Sequence, residues 1–171
     1  MRSRLIVSLL IATAVLSGPA RAQQPAECTQ FDWPLATELA WFRSPSVETL
    51  KSGETLAGVP AVAITLALTP MDKTTYPTAL SRPDKADGGY GGFITFGEAP
   101  RAGEIQVTVS AESWVDVAQN GASLELVSRT RDRTCSEIRK SLRFKVAAGP
   151  FSVLIGGAKS DTIRVAVRAA D

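Results

Sequence analysis

The residues able to do chemistry fall into three short stretches. In SWVDVAQ, Trp114 and Asp116 stand two apart, so a strand would put both on one face and Val115 and Val117 on the other. An indole beside a carboxylate can act as a stacking platform for a sugar ring. The same pair can also be a core tryptophan with its N–H satisfied, or a half-exposed one beneath a long loop. In VSRTRDRTC, Arg129, Arg131 and Arg133 surround Asp132 just before a cysteine. Such a run could grip an acidic ligand, or it could be a solvated loop. The third stretch is DGGYGGFITF, with Tyr90 among four glycines. A dinucleotide loop needs G-x-G-x-x-G between a strand and a helix, so that the helix N-terminus faces the pyrophosphate. Here Phe93-Ile94-Thr95-Phe96 follows, which reads as a strand, and no G-x-x-x-x-G-K-[ST] occurs. The glycines are expected to turn the chain into a central strand while Tyr90 covers a core edge. The candidate binding residues are thus Tyr90, Trp114, Asp116, Arg129, Arg131 and Arg133.

The sequence contains no histidine. Ser-His-Asp and Cys-His nucleophile systems are excluded in their usual forms. So are the two-histidine iron site and histidine-bearing catalytic zinc sites. Proton transfer near neutral pH would need a strongly shifted carboxylate or lysine. Acids at Asp84, Asp87, Glu112, Asp116 and Glu125 show no D-x-D-x-D-G spacing for calcium. The expectation is no catalytic residue, no metal and no cofactor. A carboxylate-based hydrolase, with two acids held roughly 5–10 Å apart, is the enzyme class that the composition permits.

The chain opens MRSRLIVSLLIATAVLSGPARAQQ. Arg2 and Arg4, a short apolar run from Leu5 to Leu16, and Ala20-Arg21-Ala22 form the pattern of a secretory leader. The run is too short to span a bilayer. Cleavage after Ala22 is expected, leaving one domain over residues 23–171 in the periplasm or secreted. Losing Arg2, Arg4 and Arg21 would leave 16 basic residues against 17 acidic ones. That balance gives no reason to expect nucleic acid or an anionic membrane as partner. The two cysteines, Cys28 and Cys135, have one possible intramolecular pairing in an oxidising compartment, and a disulfide between them is expected.

These residues need elements to position them. DWPLATELAWF predicts a short helix over 33–42, with Asp32 as N-cap and Leu35, Leu39 and Phe42 on its apolar face. Beyond it the pattern is β. PAVAITLAL, GFITFGE, GEIQVTVSA, SWVDVAQ, ASLELVSRT, RKSLRFKVAAG, PFSVLIGGA and DTIRVAVRA are strand-like. Asn120-Gly121 predicts a type I′ hairpin turn. Regular short strands indicate an all-β antiparallel sandwich or jelly roll. Residues 69–89, with three prolines, form a long loop of the kind that is functional or disordered, and a short strand could lie within it. FITFGEAPRAGEIQVTVSAESWVDV and LRFKVAAGPFSVLIGGAKSDTIRVAV share a strand, Ala-Gly turn, strand, turn, strand scheme. It predicts one hairpin geometry used twice.

The ordered series GGYGGF, WVDV, CSEIRK and TIRV, within about half of the chain, resembles a family of small exported bacterial proteins. Members of that family often carry the label homogentisate 1,2-dioxygenase. The label implies a cupin-type enzyme holding Fe(II) with two histidines and a carboxylate, and no residue of such a site maps onto this sequence. The scheme is also similar to secreted β-sandwich modules that bind polymers or accompany other domains. The expectation is a non-catalytic binding protein for a cell-envelope polymer, a small molecule or a protein. The dioxygenase and the carboxylate-based hydrolase are the enzymatic alternatives.

Overall fold

Strands that alternate apolar and polar residues bury one face each, and two such sheets cover one another. The computed structural model describes residues 28–45 and 49–171. The expected leader and its cleavage point lie outside the described residues. The first sheet runs β1 (Thr49–Lys51), β3 (Ile64–Ala67), β12 (Thr162–Ala169), β6 (Gly103–Val109), β10 (Lys140–Val146) and β9 (Leu126–Arg131). The second runs β2 (Thr55–Leu56), β5 (Tyr90–Phe96), β11 (Phe151–Ala158), β7 (Trp114–Gln119) and β8 (Ala122–Ser123), with β4 (Thr69–Pro70) also on β5. The all-β sandwich is as expected, but both sheets are mixed: β1 pairs with β3, and β2 with β5, in parallel.

The alternation read from the sequence sets the core. Ile105, Val107 and Val109 meet Val115 and Val117 between the sheets, with Ile94, Phe144, Val153 and Val165. Phe96 and Phe151 stack there with ring centroids 5.0 Å apart. Asn120 and Gly121 take φ of 52° and 77°, the left-handed pair that a type I′ turn requires. PAVAITLAL is strand only over Ile64–Ala67, and Val62 is exposed.

The repeated scheme is not a pair of hairpins. β5, β6 and β7 alternate between the sheets, and so do β10, β11 and β12. Each Ala-Gly turn therefore crosses from sheet to sheet. The middle strand of each unit inserts between the outer strands of the other: β6 lies between β10 and β12, and β11 between β5 and β7. The two units interlock, so neither sheet forms without both.

Both outer faces are covered. On the first sheet lies a helix, α1 (Ala36–Arg43), which buries Leu35, Leu39 and Phe42 with Ala63, Ile138 and Ala166. It begins later than predicted. Leu35 stands at the N-cap, where its apolar side chain accepts no bond, and Asp32, three residues earlier, is tied to β9 by its backbone N–H, which donates to Thr130 Oγ1 at 2.8 Å. Under α1, Glu38 accepts from Arg168 Nε at 2.5 Å and from Gln106 Nε2. The Cys28–Cys135 disulfide, with Cα atoms 4.5 Å apart, fixes this segment to the body.

On the second sheet lies a strap, residues 71–89, the long loop of the sequence. It holds two 3-10 turns, Met71–Lys73 and Pro83–Lys85, and follows β4. Its Leu80 and Ala86 pack on Ala118 and Leu154, beside Tyr76, Phe93 and Trp114. The glycines make this possible. A Cβ at Gly91 would lie 2.1 Å from the Tyr76 hydroxyl oxygen, and one at Gly156 would lie 2.7 Å from Ala86 Cβ. A side chain at Gly91 would have to displace the Tyr76 hydroxyl and the Met71 sulfur, and one at Gly156 would push against Ala86 of the strap itself.

Candidate functional site

Asp116 projects from β7 toward the strap, and only 3 % of its surface is exposed. It accepts the Ser81 N–H at 2.8 Å, the Ser81 hydroxyl at 2.6 Å and the Trp114 indole N–H at 2.9 Å. A buried carboxylate is tolerated when hydrogen bonds replace its water. Of the readings allowed by the spacing, the geometry is that of a satisfied tryptophan beneath a long loop. Asp116 fastens the strap. Tyr90 begins β5 and packs half-buried against the inter-sheet core.

At the start of β7 a cleft of about 620 Å³ opens between the strap and the first sheet. Trp114 and Ser113 form one side, Arg82 and Lys85 come from the strap, and Arg129, Arg131 and Lys140 come from β9 and β10. Arg129 and Arg131 lie on a strand rather than in the loop read from the sequence. The structure brings them together with Trp114. Arg133, exposed and beyond the end of β9, does not line the cleft, and neither do Tyr90 and Asp116.

The ladder register explains the basic surface. Arg131 stands directly opposite Lys140, and Arg129 opposite Leu142. Residues opposite one another, or two apart, share a sheet face. Leu142 and Phe144 are inter-sheet core, so Arg129, Arg131 and Lys140 occupy inward-facing positions where the sandwich opens.

The acids of the region have hydrogen-bonding partners of their own. Glu112 Oε1 accepts from Arg139 at 2.8 Å, and Asp84 pairs with Arg82 at 3.0 Å. Asp132, flanked by arginines in sequence, pairs with none of them. It is buried and accepts the Thr134 hydroxyl and the N–H groups of Thr134 and Gln30. Burial pushes its carboxyl up, but those hydrogen bonds, with one from the Cys135 N–H, outweigh it and hold the group below the usual range. Among the described residues, Arg129, Arg131 and Lys140 have no ion-pair partner. Lys140 Nζ donates to the Ser113 carbonyl. Asp32 at the rim and Glu112 are the acids that line the cleft.

Lys140, Arg82 and Lys85 were not among the sequence candidates. Lys140 interrupts the inward-facing series Leu142, Phe144, Val146, and that break is the signal that could have found it. The strap cations carry no comparable mark, because only the folded strap brings them to the cleft. Among the described residues, the cluster of metal-ligating types, Cys28, Cys135 and Glu137, contains the disulfide itself, so it offers no thiolates while oxidised. Comparison with protein-family models and with curated proteins finds no match to this chain.

Proposed function

We propose that this protein is an exported, non-catalytic binding module whose ligand carries an anionic group, held by Arg129, Arg131 and Lys140. The observation that supports this reading is the placement of three cations, without ion-pair partners among the described residues, on inward-facing positions of adjacent strands. Like charges directly opposite across a ladder destabilise a sheet. An anion set among them would reverse the sign of that interaction, and guanidinium groups suit carboxylate and phosphate oxygens. The cleft volume falls in the range of small-molecule sites, roughly 300–1,000 Å³. Export rests on the leader pattern and on a disulfide suited to an oxidising compartment. An iron dioxygenase with the ligand set implied by the family label would need imidazole ligands that the sequence lacks.

Isothermal titration calorimetry of the mature, oxidised chain with ethyl phosphate tests the reading. Saturable binding that weakens with added salt is expected. The double substitution Arg129→Glu with Arg131→Glu is expected to abolish it while leaving cooperative unfolding intact, since both side chains are exposed. No binding by the parent chain, or equal binding by the charge-reversed one, would refute the proposal.

A further inference from the structure

A second cavity of about 260 Å³ adjoins the basic cleft and shares Trp114, Arg129 and Lys140 with it. Its other walls are different in kind. Val115 of β7 and Leu142 and Phe144 of β10 come from the inner faces of the two sheets. Leu124 and Leu126 close it where the chain crosses from β8 to β9. The slot therefore enters the sandwich between the sheets, beside the edge strands β8 and β9. Leu126 at its rim is 39 % exposed, and the adjacent Val127 is 48 % exposed. Asp116 also borders the slot, but Ser81 and Trp114 engage its carboxylate. Glu125 is the other acid on its wall.

A basic mouth opening onto an apolar slot selects for one chemical class. We infer that the ligand is a single-chain amphiphilic anion, its head among Arg129, Arg131 and Lys140 and its hydrocarbon tail between the sheets. This rests on the anion-binding reading above and adds the tail. The two cavities answer two costs. An anion held by the cleft alone leaves the slot's apolar walls unfilled. A neutral chain in the slot gives Arg129, Arg131 and Lys140 no ion-pair partner. Only a ligand with both parts satisfies Arg129 and Lys140 while covering Leu142 and Phe144. The slot's volume limits the tail to a short chain or the end of a longer one.

The test compares ethyl phosphate, octyl phosphate below its micelle concentration, and octyl glucoside, by calorimetry on the mature oxidised protein. Each buried methylene contributes roughly a fourfold gain in affinity. Octyl phosphate is expected to bind at least about tenfold tighter than ethyl phosphate, and octyl glucoside at least about tenfold more weakly than octyl phosphate. Leu126→Ser, a neutral change at an already exposed position of the slot wall, should lower the octyl-to-ethyl affinity ratio. Leu142→Trp, which fills the slot, should do the same where it folds. Equal affinity for ethyl and octyl phosphate would overturn the tail while leaving the anion cleft standing. Equal affinity for octyl phosphate and octyl glucoside would overturn the coupling of the two parts. Binding to phosphatidylglycerol vesicles with no preference among the monomers would make the cleft a membrane-surface contact and overturn the slot. No binding of either phosphate would overturn both readings.

Discussion

Lys140 sits where Leu, Phe or Val would continue the inward-facing pattern of β10. Burial pulls its ammonium below the ordinary lysine value of 10.5, against the pull of Glu112, and Arg129, Arg139 and Arg131 push it the same way as burial. A lysine with a lowered folded pKa binds protons less readily folded than unfolded. Between that lowered value and 10.5 the unfolded chain holds the extra proton, so this residue's contribution makes stability rise with pH through that window. Below that window the charged lysine opposes folding. Lys140→Met is therefore expected to stabilise the free protein by about 0.5–1 kcal/mol at pH 7. The same change should weaken ethyl phosphate binding by about tenfold, the order of one charge-assisted hydrogen bond. Urea unfolding and calorimetry read the two effects. A variant that lost stability would show that Lys140 acts mainly as a prop through the Ser113 carbonyl. Trp114 and Asp116 were legible from their spacing as a pair on one face, but Ser81, which decides their role, is 35 residues away from Asp116. Arg129 and Arg131 were legible as cations. Their inward orientation was not, because it depends on a register set by β10.

The strap is the element that sequence periodicity resolves least, since its structure comes from the sheet beneath it. The glycines of GGYGGF were read as the turn into a central strand; that Gly91 lies under Tyr76, and Gly156 under Ala86, was not legible, because the approaching side chains come from the strap. The interlocked units show the same limit. Their turns and alternation were readable, but a turn of the same composition can close a hairpin or cross between sheets, and only the pairing partner decides. Tyr76 gives the strap a measurable signature. Its hydroxyl donates to the Ile155 carbonyl at 2.6 Å. Burial, with a smaller push from Asp116, raises the phenol to about 12 against the backbone hydrogen bonding that lowers it. An unfolded tyrosine titrates near 10. Between about pH 10 and 12 the unfolded chain releases a proton that the folded chain keeps, so this contribution is whole below 10 and is lost as pH rises through 12. Tyr76→Phe should be less stable at pH 7 by about 1 kcal/mol. Its further loss of stability between pH 10 and 12 should be smaller than the parent's. Equal alkaline losses would mean that the hydroxyl does not hold the strap, and cleavage within 71–89 by a protease gives an independent reading.

At the scale of the molecule, one covalent bond ties the chain's beginning to its far edge. Cys28 and Cys135 are 107 residues apart, and a sequence with two cysteines and the pattern of a secretory leader made that pairing legible. What the bond accomplishes was not legible, because it depends on contacts made across the first sheet. Asp132, beside Cys135, accepts the Gln30 N–H, and Thr130 accepts the Asp32 N–H. The disulfide and these two bonds together lead α1 onto the sheet, where Leu35, Leu39 and Phe42 cover Ala166 and Ile138. α1 has eight residues, too few to be stable apart from tertiary packing. Closing a loop of this length is worth roughly 4–5 kcal/mol in the chain-entropy model. Folded domains stand only about 5–15 kcal/mol above their unfolded chains. The paired substitution Cys28→Ser with Cys135→Ser should therefore remove about 3–5 kcal/mol. It should leave the interlocked sheets in place, because none of their ladders includes the N-terminal segment. Guanidinium unfolding followed by far-UV circular dichroism measures the loss, and protease sensitivity confined to residues 28–45 locates it. An unchanged midpoint in the double variant would mean that helix packing alone secures the segment. A collapse of β signal in mild conditions would mean that the sandwich cannot hold its own sheets together without it.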